Sequence, residues 1–598
     1  MSGNGSKHLY WLTLSRWVSL PAAVIAVGAL VAEFGFAEPP VSTGCLHLVQ
    51  IIAAVLLWWN KIYFWTVVQR REFTWYKPVP DIILLLLLVL SLIFLPDLTK
   101  AKAPAATLRW GVFQIYLLLL VLFHLGRLSI AAAASGRAPT RALLISFAAI
   151  IFIGSILLML PAAHHGGRLC FTDAVFTATS ATCVTGLIVR DTGSDFTRLG
   201  QTVILVMIQM GGLGIMIFGA LFAMLLGSPL SMRESVAMRD IMNEQTPGRI
   251  GRVVVFICLI TLTLEALGAV GLYGTWDNVP NAETTAALHG GAFYKSVFHS
   301  ISAFCNAGFS LQSDSLKNYR GCWQIYLILC PLIILGGLGF PVLHNLWTIV
   351  RQRMSRQRDD GTVKDSAFAS ARLTLHSKIV LTTTAALLLF GFVLFLVLEY
   401  TSSEPNPHSV TGLTLLDSLF NSITARTAGF NTVAIDELGA GSKLVLIFLM
   451  YVGGSPSSTA GGIKTVSFAV MVLAIYATMR RRREVLVFHR TIPMMVVRRV
   501  ATLIMLYGLL LWLLTLLMTI TEHSSDQDIL NLFFEVASAL GTVGLSTGVT
   551  GQLTLAGKWV IIIAMLIGRL GPLSLLAALT FNIRPIRYEY PREPLVVG

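Results

Sequence analysis

Four short segments of the chain end in a glycine followed at once by a large apolar residue. They are Thr-Cys-Val-Thr-Gly-Leu at 182–187, Cys-Asn-Ala-Gly-Phe at 305–309, Arg-Thr-Ala-Gly-Phe at 426–430 and Gly-Thr-Val-Gly-Leu at 541–545. Gly186, Gly308, Gly429 and Gly544 follow one another at intervals of 122, 121 and 115 residues. The chemistry open to such segments is dehydration of a cation, which must exchange its water oxygens for protein oxygens at little net cost. Backbone carbonyls in an extended or left-handed turn can supply those oxygens, and glycine permits that backbone. The segments differ in side chains, so a symmetric side-chain cage is excluded and the backbone is the shared element. The predicted ligands are the carbonyls of Thr182, Cys183, Val184, Thr185 and Gly186; Cys305, Asn306, Ala307 and Gly308; Thr427, Ala428 and Gly429; and Thr542, Val543 and Gly544. A repeat of this period is one structural unit copied four times. Four copies around an axis make a ring, so the chain reads as a single-polypeptide ion pore.

Each glycine segment needs an element that aims it. The order recurs in all four units: a long apolar span, a short semi-polar helix, the glycine segment and a second long span. The first spans lie at 141–162, 252–275, 378–400 and 500–520, and the second at 201–227, 324–350, 443–479 and 557–582. Between them the short helices are predicted at 171–181, 292–304, 413–425 and 528–540, too short to cross about 30 Å of hydrocarbon at about 1.5 Å per residue. They must be re-entrant, inside protein rather than against lipid. Their partly negative C-terminal ends would face the site and favour a cation. The likeness extends to Phe176, Phe298, Leu419 and Phe534, ten residues before the glycines, and to Ser180, Ser302, Ile423 and Ser538, six before. The predicted fold is an all-α polytopic membrane protein. Four repeats of M1, pore helix and M2 stand in pseudo-fourfold arrangement, preceded by about four extra transmembrane helices. The divisions are 1–140, an N-terminal extension; 141–228 and 229–350, repeats 1 and 2; 351–479, repeat 3; and 480–598, repeat 4 with the C-terminal tail.

Composition agrees with that class. Hydrophobic residues make up 55% of the chain and charged residues 12%, against about a quarter charged in soluble proteins. The apolar runs are continuous rather than alternating, which excludes a β-barrel. The net charge of +14 does not call for nucleic acid, because it marks loops on the inner side of a membrane. Segment 351–378 carries seven Lys/Arg against three Asp, 480–499 seven Arg against one Glu, and 228–252 four Arg. These link one repeat to the next and lie inside, so the glycine segments open outward. The extension holds apolar runs at 17–36, 46–68, 81–96 and 109–126 and no repeating Arg series, so it reads as a packing or assembly module and not a voltage sensor. The first run is long and lacks a small-residue cleavage site, so it is read as a retained span. Seven cysteines without a CxxC pair imply neither a disulfide framework nor a metal site.

Repeat 3 has one feature of its own. Its second span is interrupted by Gly453, Gly454, Ser455, Pro456, Ser457, Ser458, Thr459, Ala460, Gly461 and Gly462, followed by Ile463 and Lys464. Such a run cannot hold a helix across lipid. Unwound backbone at that depth must face protein or water, which makes the stretch a candidate gate below the third glycine segment. Arg569, in the second span of repeat 4, is costly there unless paired or hydrated; it is either a structural partner for carbonyls or a cationic barrier in the ion path. Lys464 closes the loop. Arg426 braces the third segment from behind, and His299 hydrogen-bonds within the short-helix bundle. Glu265 and Glu399, late in first spans, read as structural or interfacial. Gly-Gly-Leu-Gly at 211–214 and again at 336–339 is close helix packing and not a nucleotide loop, since no strand precedes it. There is no Walker A pattern or HExxH, so the chain is not read as an enzyme.

With these segments in place, 140–585 resembles the Trk/Ktr/HKT family of potassium transporters, at its TrkH- and KtrB-like pore subunits. The residues carrying the likeness are Ser-Ala-Thr-Cys-Val-Thr-Gly-Leu at 180–187, Phe-His-Ser-Ile-Ser-Ala-Phe-Cys-Asn-Ala-Gly-Phe at 298–309, Thr-Ala-Arg-Thr-Ala-Gly-Phe-Asn-Thr at 424–432 and Ser-Ala-Leu-Gly-Thr-Val-Gly-Leu-Ser at 538–546. The resemblance implies four filter segments of a pseudo-tetrameric pore. It implies potassium rather than sodium, because family members with serine at the first filter glycine pass sodium and Gly186 stands here. It also implies a gating loop at 453–462 acting with Arg569, no cofactor beyond potassium as substrate, and a location in the cytoplasmic membrane among its lipids. The implied partners are a second copy in a homodimer and a ring of cytosolic nucleotide-binding regulatory subunits. The rival reading is a secondary transporter, a sodium- or proton-coupled ion symporter working by alternating access. Four parallel repeats argue against it, since such folds carry inverted or twofold repeats.

Overall fold

The computed structural model describes residues 21–36, 39–63, 85–86, 110–117, 120, 139–166, 169–214, 250–276, 291–358, 372–401, 415–523 and 527–572. Helices α1 (Pro21–Phe34) and α2 (Thr43–Tyr63) belong to the N-terminal extension. The predicted run at 81–96 lies almost wholly outside the described residues.

The body follows one order four times. In repeat 1, α3 (Pro139–Leu158) precedes the short α4 (Phe171–Thr182) and α5 (Arg198–Leu213). Repeat 2 has α6 (Ile250–Leu272), short α7 (Ala292–Phe304), α8 (Trp323–Leu338) and α9 (Phe340–Arg358). Repeat 3 has α10 (Leu375–Thr401), short α11 (Leu415–Thr424), α12 (Ala440–Tyr451) and α13 (Thr465–Met479). Repeat 4 has α14 (Met494–Thr521), short α15 (Ile529–Gly541) and α16 (Leu555–Leu570). Among the described residues three helices are long and apolar enough to cross a membrane, at Gly251–Leu272, Leu375–Leu398 and Met494–Thr521, and the bent pair α8–α9 makes a fourth candidate.

The short helices form the centre. From Thr172 to Thr182 every residue of α4 is buried, although the segment is rich in Thr and Ser. A polar helix can be buried like this only where other protein elements satisfy it. Phe176, Phe298 and Phe534 are fully buried anchors. In repeat 3 the equivalent anchor is Phe420, fully buried, and not Leu419, which is 38% exposed. Repeat 3 is therefore one residue shorter between short helix and glycine, and Thr424, not Ile423, stands where the other repeats have serine.

Two further expectations are corrected. The second spans of repeats 1, 2 and 4 were read as continuous, with a break only in repeat 3. In the structure α5 ends at Gly214 (φ +82), α8 turns into α9 by 104° at Gly339 (φ +88), and α16 ends at Gly571 (φ +79). A left-handed glycine ends each helix at the same level. What sets repeat 3 apart is the length of its break, between Tyr451 and Thr465. The fold is also not purely helical: β1 (Val485–Val487) pairs antiparallel with β2 (Arg490–Ile492). The turn residues Phe488 and His489 have φ +47 and +63, the geometry of a two-residue hairpin. Val485 and Ile492 pack with Val470, Ala477 and Val500 between α13 and α14.

Candidate functional site

The short helices end alike, and this ending shapes the site. In repeat 1, Thr185 N–H bonds back to Ser180 O (2.8 Å); in repeat 2, Ala307 to Ser302 O (2.7 Å); in repeat 4, Val543 to Ser538 O (2.8 Å). Repeat 3 closes one residue tighter, with Ala428 N–H on Thr424 O (2.9 Å). The residue two before each glycine is left-handed: Val184 (φ +58), Asn306 (+57), Thr427 (+72) and Thr542 (+51). The glycines follow with φ +92, +70, +78 and +93 for Gly186, Gly308, Gly429 and Gly544. Three of the four left-handed residues are β-branched, a conformation rare outside functional sites.

The four glycines meet in a closed ring. A Cβ on Gly186 would strike Ala307 O; on Gly308, Ala428 O at 2.9 Å; on Gly429, Val543 O; and on Gly544, Thr185 O. Each repeat thus touches the next in the order 1, 2, 3, 4 and back to 1, always through the carbonyl preceding the neighbour's glycine. Cys183, Cys305 and Ala307 are fully buried in this wall. The buried hydroxyls of Thr182, Thr185, Thr427 and Thr542 have no protein partner.

Polar pairs tie the repeats together around the ring. Lys558 Nζ on α16 of repeat 4 bonds Asp173 on α4 of repeat 1 at 2.7 Å, and Arg190 completes that carboxylate at 3.2 Å. Tyr326 on α8 of repeat 2 donates to Asp417 on α11 of repeat 3 at 2.7 Å, with Arg320 at 2.8 Å and Thr432 at 3.2 Å. Lys443 on α12 of repeat 3 bonds Asn531 on α15 of repeat 4 at 3.3 Å. Within repeat 4, fully buried Glu535 accepts from Ser546 (2.6 Å), Thr547 N–H (2.9 Å) and Thr550 (2.5 Å). Sequence reasoning missed these braces. Their signal was present, since Asp173 and Asn531 lie thirteen residues before their glycines and Asp417 twelve before, where repeat 3 is one shorter.

The Gly-Gly-Leu-Gly segments pack closely against the short helices, and Gly568 in repeat 4 does the same. Cβ atoms on Gly211, Gly336 and Gly568 would strike the carbonyls of Thr182, Phe304 and Leu540, the ends of their own short helices. Behind the second segment, Gln209 donates to Glu265 at 3.2 Å and the Cys305 thiol faces that carboxylate at 3.8 Å. Glu265 is thus an internal brace; the Glu399 side chain lies outside the described residues. His299 bonds Lys295 O (2.8 Å) and Ser310 (3.1 Å), as the sequence suggested.

The break in repeat 3 is a loop packed against the end of the short helix of repeat 2 and against Thr542 beside the ring. Val452 and Ile463 form a parallel bridge, and Arg426 donates to Gly453 O at 3.0 Å, bracing the loop's entry rather than the third segment. Thr465 N–H bonds Gly454 O (3.0 Å), Ser455 N–H bonds Gly337 O (3.0 Å), and the carbonyl of Pro456 lies against Gly339. The carbonyl of left-handed Ser457 accepts from Phe340 N–H (3.0 Å). Ser458 donates to Ser455 O (2.6 Å), and Thr459 Oγ1 to Phe304 O (3.3 Å). Lys464 Nζ holds Ala460 O at 2.6 Å and Gly461 O at 3.3 Å, while Gly462 turns the chain with φ +65. Gly461 sits so close to Thr542 that a Cβ there would strike its hydroxyl. Arg569 donates to Thr459 O and to Gly211 O, joining repeat 4, the loop and repeat 1.

A buried ring of glycine backbone inside a bundle of apolar helices defines a multi-pass membrane protein with close-packed carbonyls at its centre. The chain belongs to the TrkH family, described as cation transport protein, which matches residues 113–584. Membership makes it a cation transporter and not an enzyme. It is 36% identical over 465 residues to the Ktr system potassium uptake protein B of Vibrio alginolyticus, spanning 78% of this chain and 96% of that one. The protein of the same name from Bacillus subtilis is also 36% identical, over 73% of this chain and 92% of its own. The potassium/sodium uptake protein NtpJ of Enterococcus hirae is 32% identical, over 77% and 97%. The crystal structure of the potassium transporter TrkH from Vibrio parahaemolyticus matches the fold with a TM-score of 0.56 at 21% identity, covering 85% of this chain and 99% of that one.

Proposed function

We propose that the chain is the pore-forming subunit of a potassium uptake system in the cytoplasmic membrane, with four M1–pore helix–M2 repeats around one ion path. The carrying observation is the closed ring in which every glycine abuts the carbonyl before the next repeat's glycine. Such a ring is a cation filter in which protein oxygens replace water, and the unpaired hydroxyls of Thr182, Thr185, Thr427 and Thr542 suit the same role. The names of the Ktr-type relatives support potassium as the ion, and Gly186 in place of serine agrees with it. The loop 453–462 lies across the path on the inner side and is the gate, with Arg569 as its latch and positive barrier. The working assembly is a homodimer with cytosolic nucleotide-binding subunits on the basic inner face. Proteoliposomes holding only this protein test the reading. They should pass potassium well above sodium at channel-like rates of about 10⁵ ions per second or more. Slow, saturable exchange strictly tied to sodium or proton movement would instead mark an alternating-access symporter.

A further inference from the structure

The four turns behind the ring share a backbone but use their hydroxyls in two ways. In repeats 1 and 4, Ser180 and Ser538 accept from the N–H of Gly186 and Gly544, both at 3.1 Å. In repeats 2 and 3 the hydroxyl donates to the carbonyl one residue past the glycine. Ser302 reaches Phe309 O at 2.8 Å, and Thr424 reaches Phe430 O at 2.5 Å. A carbonyl bonded back onto its own short helix is drawn toward that helix and away from an ion on the axis. Leu187 and Leu545 hold the equivalent places in repeats 1 and 4. Both are buried, at 0% and 1% exposure, and among the described residues no protein donor meets their carbonyls. Buried backbone carbonyls are nearly always paired, and in a cation path the ion is the available partner. Repeats 1 and 4 are neighbours, since Gly544 abuts Thr185 O.

Building on the filter reading above, we propose that the outermost cation position is one-sided. The carbonyls of Leu187 and Leu545 take the ion, while Ser302 and Thr424 are positioning residues that withhold the carbonyls of Phe309 and Phe430. An entering potassium ion then exchanges only part of its water at this level and keeps the rest toward repeats 2 and 3. The outer position is weak by construction, which suits a site that must load and release ions quickly. The chain's own asymmetry, serine used as acceptor in two repeats and serine or threonine as donor in the other two, sets that weakness.

Potassium uptake by the full-length protein in cells, measured against external concentration, tests this. Ser302→Ala and Thr424→Val remove the donor and free a carbonyl for the ion, so the external KM for potassium should fall about threefold or more while maximal uptake changes less than about twofold. Ser302→Thr and Thr424→Ser keep the hydroxyl and should restore the parent KM. Ser180→Ala and Ser538→Ala free a glycine N–H, not a carbonyl, and should not lower KM. Thr424→Val keeps the side-chain shape and carries the test if Ser302→Ala fails to accumulate in the membrane. An unchanged or raised KM in the donor-removing variants overturns the proposal, as does a fall of equal size in the Ser180 and Ser538 variants. Gly186→Ser in the same cells separates the two readings. If it lowers potassium-over-sodium preference while the hydroxyl variants leave KM alone, the filter stands and this inference fails. If Gly186→Ser changes nothing, the filter reading itself fails.

Discussion

Gly186 combines two constraints that no other residue type meets. Its φ of +92 is unfavourable for a side chain, and a Cβ would press on Ala307 O, the carbonyl of the neighbouring repeat. Gly186→Ser should therefore shift the carbonyl cage rather than simply weaken the fold. The predicted result is a fall in the potassium-to-sodium permeability ratio of about fivefold or more, the effect of about 1 kcal/mol of local strain. Bi-ionic flux in proteoliposomes measures it, and an unaltered ratio would remove Gly186 from the filter. The glycines were legible from sequence because only glycine serves there. The serine pattern was legible in three repeats and misplaced in the third, where counting back from Gly429 lands on Ile423 and Leu419. Counting back from the glycine alone hides a one-residue shortening. It is fixed by burial, which puts Phe420 in the core, and by the Thr424 bond to Phe430 O, and it agrees with Asp417 standing one residue nearer its glycine than Asp173 and Asn531.

At the scale of elements, the short helices were predicted within about two residues of their observed ends, where the ends are described. Their semi-polar composition and length fit neither a span nor a surface helix, so burial among other helices was the one consistent placement. The braces between repeats escape a reading of each residue alone, because an Asp or Lys near the end of an apolar segment reads equally well as an interfacial residue; only the common spacing to the glycines marks them. The 485–492 hairpin was hidden by the arginine run before it, which reads as a loop. Lys558 shows what the braces contribute. Asp173 is nearly buried, and removing Lys558 leaves its carboxylate with Arg190, whose side chain is 46% exposed. A buried charge that loses its partner is destabilising, and with one partner left we estimate about 2 kcal/mol for Lys558→Met. Thermal unfolding of the detergent-solubilised protein should show a lower midpoint. Asp173→Asn combined with Lys558→Met should be less destabilised than the sum of the single changes by about 1 kcal/mol or more. Strict additivity would mean the pair is not coupled.

Across the whole molecule, the loop between α12 and α13 ties repeat 3 directly to repeats 2 and 4 and, through Arg569, to repeat 1. It bonds Gly336 and Gly337 of repeat 2, lies against Thr542 of repeat 4, and reaches repeat 1 through Arg569 and Gly211 O. Its hold is a set of separate hydrogen bonds, neutral ones such as Ser455 N–H to Gly337 O worth about 1 kcal/mol net each and those from Arg426, Lys464 and Arg569 worth about 1.5–3 kcal/mol. Two loop positions separated by a few kcal/mol are therefore physically accessible, and a partner binding one of them better can shift the population. Arg569→Ala removes two of the ties and, on the gate reading proposed above, a positive charge from the ion path. The filter carbonyls are untouched by this change. On that reading the expected outcome is faster potassium flux, weaker dependence on the proposed nucleotide-binding subunits, and an unchanged potassium-to-sodium ratio. Deleting residues 455–459 should act in the same direction. Flux at parent levels with full partner dependence, in protein that purifies intact, would make the loop a packing element and move the gate elsewhere. A changed ion ratio with unchanged flux would instead assign Arg569 to the filter's support.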